Sequence, residues 1–322
     1  MKNLNLLFNK TYYRNIRHLA TESDKREYAA ECQSHNDEIC GVKFDKERDY
    51  RSLGSLHDRM KTVVLVTTYP GMLVGTGYAH GTSESDNDIK IGFSFDYVTG
   101  QPYVPGSSVK GLLRCVFREQ PEAAAAIITA CTGKEMSDEI VAKLDEEIFE
   151  FGDIFLDAVV CKGNRNGNLM GLDNITPHSE MTKNPVPLLL IKILPGVHFE
   201  FRFVLKDGIL TADEKIKVFE TMLTLFGAGA KTNVGYGQLV RVQDYIPPQV
   251  VRTQTPAAAV NPQNQGSGQQ HRHGGQSSNS SRPGQTANSD KVRCPHCGKM
   301  SWKNYPDGNP RKTCSYCKDK LF

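Results

Sequence analysis

Val197–Val242 reads VHFEFRFVLKDGILTADEKIKVFETMLTLFGAGAKTNVGYGQLVRV. Its opening residues alternate apolar and polar side chains, and Phe199, Phe201 and Phe203 fall on one face, the period of a half-buried strand. Thr211 and Glu214 stand at capping-box spacing. From them Ile216, Phe219, Leu223 and Phe226 continue at the three-and-four spacing of a buried helix face. The helix ends at Gly227, a glycine-rich loop runs to Gly237, and Gln238–Val242 returns to strand.

Working outward, Leu188–Leu194 and Ile154–Cys161 read as strands, and Pro195-Gly196 as a turn that predicts a hairpin between Leu188–Leu194 and Val197–Leu205. Ser137 caps a helix in which Ile140, Leu144 and Ile148 recur, and Pro121 starts another through Ala123–Ala130. Pro105-Gly106-Ser107-Ser108 opens a helix with Val109, Leu112, Leu113, Val116 and Phe117 on its buried face. Lys61–Tyr69 (KTVVLVTTY) is a β-branched strand ending at the Pro70-Gly71 turn. The order strand, helix, two strands, helix, strand predicts an α+β, ferredoxin-like domain with insertions over residues 1–246.

Charge divides the chain more sharply than its total does. The whole carries +3, but residues 247–322 hold 11 Lys/Arg against 3 Asp/Glu, which leaves residues 1–246 net acidic. Residues 247–290 are almost wholly Pro, Gln, Asn, Ser, Gly, Ala and Thr, too poor in apolar side chains to offset ordering entropy, and are expected to be a disordered linker. As a random coil the linker would span on the order of 35–40 Å. The longest apolar runs fall short of the about 20 residues a membrane span needs. Asn3, Asn5, Asn9 and Lys10 interrupt the leucines of the amino terminus, which argues against a secretory signal. With two Cys-x-x-Cys pairs and no disulfide density, a reducing, cytoplasmic setting is expected.

The loop Gly227–Gly237 does not fit nucleotide-phosphate motifs. A P-loop needs Gly directly before its Lys, whereas Lys231 follows Ala230. Phosphate loops also lead into a helix amino end, whereas this one leaves a carboxy end, where the helix dipole repels phosphate. What remains is a bend of small residues that admits another backbone, with Gly229 and Gly235 for space, Lys231 as a point charge and Thr232 and Asn233 as donors. That set suits a sugar-phosphate backbone held without reading bases. Taken alone, the loop serves equally as a helix cap and a turn before an edge strand. The helix opened by Gly106, Ser107 and Ser108 exposes N–H groups that favour an anion. Lys110, Arg114 and Arg118 follow at four-residue spacing as a basic arc. An ordinary N-cap with a solvated basic stripe fits those residues as well.

Five stretches taken together and in order, PGMLVGTG (Pro70–Gly77), VPGSSVKGLLR (Val104–Arg114), FGDIFLDA (Phe151–Ala158), DNITPH (Asp173–His178) and GAGAKTNVGYG (Gly227–Gly237), resemble the RAMP superfamily of CRISPR effector proteins. The resemblance covers most of residues 1–246 and implies an RNA-recognition-motif-like form of the fold. It also implies a place in a type III-B (Cmr) effector of antiviral defence, with crRNA and target RNA and the other Cmr subunits as partners. There it implies a non-catalytic subunit at the head of a filament, gripping the 3′ part of the guide. The family's glycine loop falls on Gly227–Gly237 and its helix-opening motif on Pro105–Arg114. A second outcome within the superfamily is an endoribonuclease for precursor crRNA, with His80 or His178 as general base. A third is a zinc-dependent protein adaptor.

Cys294, Cys297, Cys314 and Cys317 form two Cys-x-x-Cys pairs separated by sixteen residues, the spacing of a structural zinc ribbon over residues 291–322. Four thiolates close a tetrahedral Zn2+ shell with no open position for water, so the metal organises and does not catalyse. The module is basic, and RNA and a protein partner both fit it. Asp86 and Asp88 are expected in a solvated loop, and Cys32, Cys40, Cys115, Cys131 and Cys161 as buried thiols. The acidic stretch from Glu119 to Asp157, with 11 Asp/Glu against Lys134 and Lys143, is expected to face away from RNA.

Overall fold

The computed structural model describes residues 2–14, 21–45, 60–81, 85–176, 187–247, 291–293 and 300–302. The chain divides into two units, Met1–Val251 and Arg252–Phe322. In the first, the elements are α1 (Leu4–Asn9), α2 (Glu22–Cys40), β1 (Met60–Thr67), β2 (Tyr103–Val104), α3 (Gly106–Glu119), α4 (Pro121–Thr132), α5 (Asp138–Phe149), β3 (Ile154–Lys162), β4 (Met170–Ile175), β5 (Leu188–Ile193), β6 (His198–Val204), α6 (Ala212–Phe226) and β7 (Leu239–Arg241).

Five strands form one sheet in the order β2-β3-β6-β1-β7, with every neighbouring pair antiparallel. Without the short edge strand β2, and with α3 between β1 and β3 and α6 between β6 and β7, this is the expected βαββαβ unit. Its insertions are α4, α5 and the β4–β5 pair. Alternation in β6 turns Phe199, Phe201 and Phe203, all fully buried, toward the helices. There Phe203 and Phe155 meet Phe219 of α6 at ring-centroid distances of 5.4 and 5.7 Å. Each such buried ring contributes roughly 1.5–3 kcal/mol. The capping box of Thr211 and Glu214 closes as expected, as does the Ser137 cap on α5.

The expected hairpin between Leu188–Leu194 and Val197–Leu205 does not form. β5 pairs with β4 in a separate two-stranded sheet, while β6 lies between β3 and β1. Thr67, at the end of β1, breaks the hairpin: its Oγ1 donates to Leu194 O at 2.7 Å and accepts from Val197 N at 3.1 Å, and Gly196 N donates to Thr67 O at 2.8 Å. The turn is thus fastened to β1. β5 itself is a continuous apolar run, which alternation cannot assign to a partner.

Two helices that the sequence reading did not mark precede β1. Asn3 caps α1 by accepting from Leu6 N at 3.0 Å, which places Leu4, Leu7 and Phe8 in the core. Thr21 and Asp24 form a capping box for α2. Cys115 is exposed on α3 and Cys40, Cys131 and Cys161 are half-buried, so the expectation of buried thiols holds for Cys32 alone. Asp88 is fully buried, not solvated, and accepts from Tyr12 Oη at 3.2 Å. No helix among the described residues is long and apolar enough to cross a membrane.

In the second unit, β8 (Lys291–Arg293) pairs antiparallel with β9 (Met300–Trp302). The four cysteines of the expected zinc site and the expected linker lie outside the described residues.

Candidate nucleic-acid interface

Two stretches far apart in sequence meet at the end of β1. Residues 228–230 of the glycine loop and Ser108, Val109 and Leu112 of α3 line one cleft of about 370 Å3, completed by Val104 and residues 74–77. Its walls are mostly apolar, with Ser108 and Thr76 the hydroxyl-bearing residues among those that line it.

The loop is built on left-handed backbone. Gly227, Gly229, Gly235 and Gly237 all have positive φ, and Lys231 at φ 61° is the one non-glycine residue among those described to share it. Such a conformation costs a side-chain-bearing residue on the order of 1–2 kcal/mol. The space the sequence reading left for a foreign backbone is largely filled by the protein's own. A Cβ at position 229 would run into the Leu73 carbonyl oxygen, and one at 237 into that of Ala228. Ala230 N donates to Leu73 O and Gly237 N to Gly71 O, each at 2.8 Å. These contacts hold the loop against residues 71–73 and leave Lys231 and Asn233 exposed and Thr232 half-exposed. The Lys231 carbonyl accepts from Val234 N at 3.2 Å, while its side chain has no hydrogen-bond or ion-pair partner among the described residues.

A half-buried polar clamp supports the loop from behind. Tyr236 donates its hydroxyl to Asp173 Oδ2 of β4 at 2.7 Å, and Lys192 Nζ of β5 reaches the same oxygen at 2.6 Å. Leu73 and Leu190 pack with Tyr236 in a small cluster separate from the main core. Burial pushes the Asp173 carboxyl up, but the hydrogen bonds from Lys192, Tyr236 and Asn174 N outweigh it and hold the group below its ordinary value. Burial and then the adjoining carboxylate push the Tyr236 phenol up.

The start of α3 differs from the expectation in one respect. Gly106 is buried against β3 and gives its N–H to Asp157 Oδ1 at 2.8 Å, so the protein's own carboxylate occupies the anion position at this helix end. Ser107 and Ser108 are exposed. The basic arc also divides. Arg114 binds Asp145 of α5 through Nε at 3.2 Å and Nη2 at 3.3 Å and pairs with Glu150, while Arg118 Nε contacts Asp145 at 3.3 Å. The hydrogen bond from Arg114 first, then the charges of Arg114, Lys110 and Arg118, hold Glu150 below the usual carboxylate range. Thus the acidic stretch packs its α5 face against the carboxy-terminal half of α3 and neutralises it. Lys110 lies between this cluster and the cleft.

His80 is buried. Nδ1 faces Ile89 O at 3.0 Å and Nε2 faces Phe8 O at 2.9 Å, and the ring stacks on Phe8 with centroids 3.7 Å apart. Burial pulls its pKa down against those two carbonyls and Asp88. The ring is turned inward and presents no nitrogen to a substrate. His178 lies outside the described residues.

Asp157, Asp173, Lys192 and Tyr236 were not singled out from sequence, although three of the four stand inside the quoted motifs. In the sequence Asp157 is the last residue of the acidic stretch.

The RAMP superfamily model matches residues 64–240, more than half the chain, and the chain belongs to that superfamily. It is similar to the CMR subunit Cmr6 of Saccharolobus solfataricus, at 28% identity over 222 residues, covering 66% of this chain and 69% of that protein. Among solved structures it is similar to a chain of the type III-B Cmr-beta complex bound to cognate target RNA, at 22% identity over 73% of this chain and 84% of that one, with a TM-score of 0.48. It is also similar to Cmr6 from Pyrococcus furiosus, at 20% identity over 59% of this chain and 100% of that one, with a TM-score of 0.38.

Proposed function

We propose that the chain is a non-catalytic RNA-binding subunit of a type III-B CRISPR (Cmr) effector, holding the 3′ part of the guide crRNA, with target RNA and the other Cmr subunits as partners. The observation that carries this reading is the convergence of residues 228–230, next to Lys231 in the glycine loop, and Ser108 in the first turn of α3 on one cleft. Membership of the RAMP superfamily and similarity to Cmr6 support it. In this reading Lys231 neutralises a phosphate and the serine hydroxyls donate to phosphate oxygens. Apolar walls accommodate the chain without a donor–acceptor pattern for base edges, as a guide of any sequence requires.

Fluorescence anisotropy of the full chain with two guide RNAs of unrelated sequence tests this. Expected are equal affinities that fall with salt, and a Lys231→Ala variant weaker on both, with a salt slope lower by about one. Absent binding, or a Lys231→Ala variant that binds as the parent does, overturns it. The endoribonuclease alternative loses His80 as its base on geometry and rests on His178.

For the second unit, we propose that Cys294, Cys297, Cys314 and Cys317 hold a structural Zn2+. The support is the donor set itself, four thiols at ribbon spacing, with strands β8 and β9 bracketing the first pair in the sequence.

A further inference from the structure

We propose that Tyr69 and Tyr78, on either side in sequence of the segment that lines the cleft, are stacking platforms for bases of single-stranded RNA, an inference that rests on reading the cleft as an RNA site. The chain leaves β1 through Tyr69, lines the cleft with residues 74–77 and continues directly into Tyr78. Tyr69 is 80% exposed and Tyr78 70% exposed. Isolated exposed rings are common on protein surfaces; these two stand on the one segment of chain that also lines the cleft, and their backbones are fixed.

Next to Tyr69, Thr68 N donates to Gln238 O at 3.1 Å, and Gly237 N donates to Gly71 O at 2.8 Å. Pro70 Cδ lies 3.6 Å from where a Cβ on Gly235 would be, which sets Tyr69 beside the glycine loop. At the other end, Tyr78 N donates to Gly75 O at 3.3 Å and Gly92 N to Tyr78 O at 2.6 Å. Any side chain on Gly92 would collide with Tyr78. Each ring is therefore presented from an anchored backbone, at little ordering cost on binding.

The chemistry completes what the loop lacks. Lys231 supplies charge for a phosphate but no surface for a base. Single-stranded nucleic acid is held by the two together, a cationic track and aromatic faces, and stacking tolerates any base.

The test uses the full chain with a short single-stranded RNA of mixed sequence and an abasic ribose-phosphate oligomer of the same length. Tyr69→Ala and Tyr78→Ala are each expected to weaken binding of the RNA by roughly 5- to 100-fold. They should leave affinity for the abasic oligomer and the salt slope unchanged, and Tyr→Phe should restore the loss. Lys231→Ala should weaken both ligands. If the alanine variants bind RNA as the parent does while Lys231→Ala is impaired, the platforms are overturned and the cleft stands. If no variant is impaired, both readings fall. A tyrosine variant that weakens both ligands equally also overturns the stacking role.

Discussion

Lys231 holds a backbone conformation that glycine would hold at lower cost, in a loop where four neighbouring positions are glycine. Lys231→Gly should therefore raise stability by on the order of 1 kcal/mol in urea unfolding while weakening RNA binding. Unchanged RNA binding would show that the lysine does not act through its charge. Gly229→Ala should do the reverse of a neutral change, since its Cβ meets the Leu73 carbonyl at φ 90°; a loss of roughly 1–3 kcal/mol is expected. His80 shows how a single residue type misleads. As a candidate base it is indistinguishable in sequence from a core histidine, and only the two carbonyls at its ring nitrogens decide the matter. His80→Ala should cost about 2–4 kcal/mol of stability through lost packing on Phe8, with RNA binding unchanged once the protein is folded.

At the scale of elements, α3 has two ends with different tasks. Its first turn faces the cleft, and its last two turns are locked to α5 by Arg114, Arg118, Asp145 and Glu150. The β4–β5 pair braces the glycine loop through Asp173 and Lys192. Because the folded Asp173 pKa lies below its unfolded value, its contribution is full above about pH 4 and is lost as pH falls through the folded pKa. Asp173→Asn should lower the urea midpoint at neutral pH and flatten this acid limb relative to the parent. Parallel pH profiles for the two proteins would remove the clamp from the account.

Much of this level was legible in sequence. Strong periodicity and caps gave β1, β6, α3, α5 and α6 near their observed bounds. The partner of β5 was not, because a run apolar on both faces carries no register. α2 escaped notice because its exposed face is densely charged and only Tyr28, Cys32, Asn36 and Ile39 are buried. Lys215 of α6, which no sequence signal sets apart from a surface lysine, is buried with Nζ 2.9 Å from Asp153 Oδ2.

Across the molecule, the two cleft walls were legible because each bears its own small-residue motif and exposed donors. That Arg114 and Arg118 are already paired was not, since their partners lie on α5, some thirty residues away in sequence, and helix spacing says nothing about which helix packs alongside. The zinc proposal belongs to this scale as well. Metal analysis of the purified full chain should find about one Zn2+ per chain, lost in Cys294→Ser with Cys317→Ser; a metal-free parent purified without chelator would refute it.

The central claim is that guide RNA runs between the glycine loop and the first turn of α3. Ultraviolet crosslinking of the full chain to a 4-thiouridine-substituted guide, followed by peptide mass spectrometry, reads this directly. Adducts are expected in the peptides that carry Tyr69–Tyr78, Ser107–Lys110 and Lys231. Adducts confined to Glu119–Asp157, or to the carboxy-terminal unit with none in the first, would contradict it.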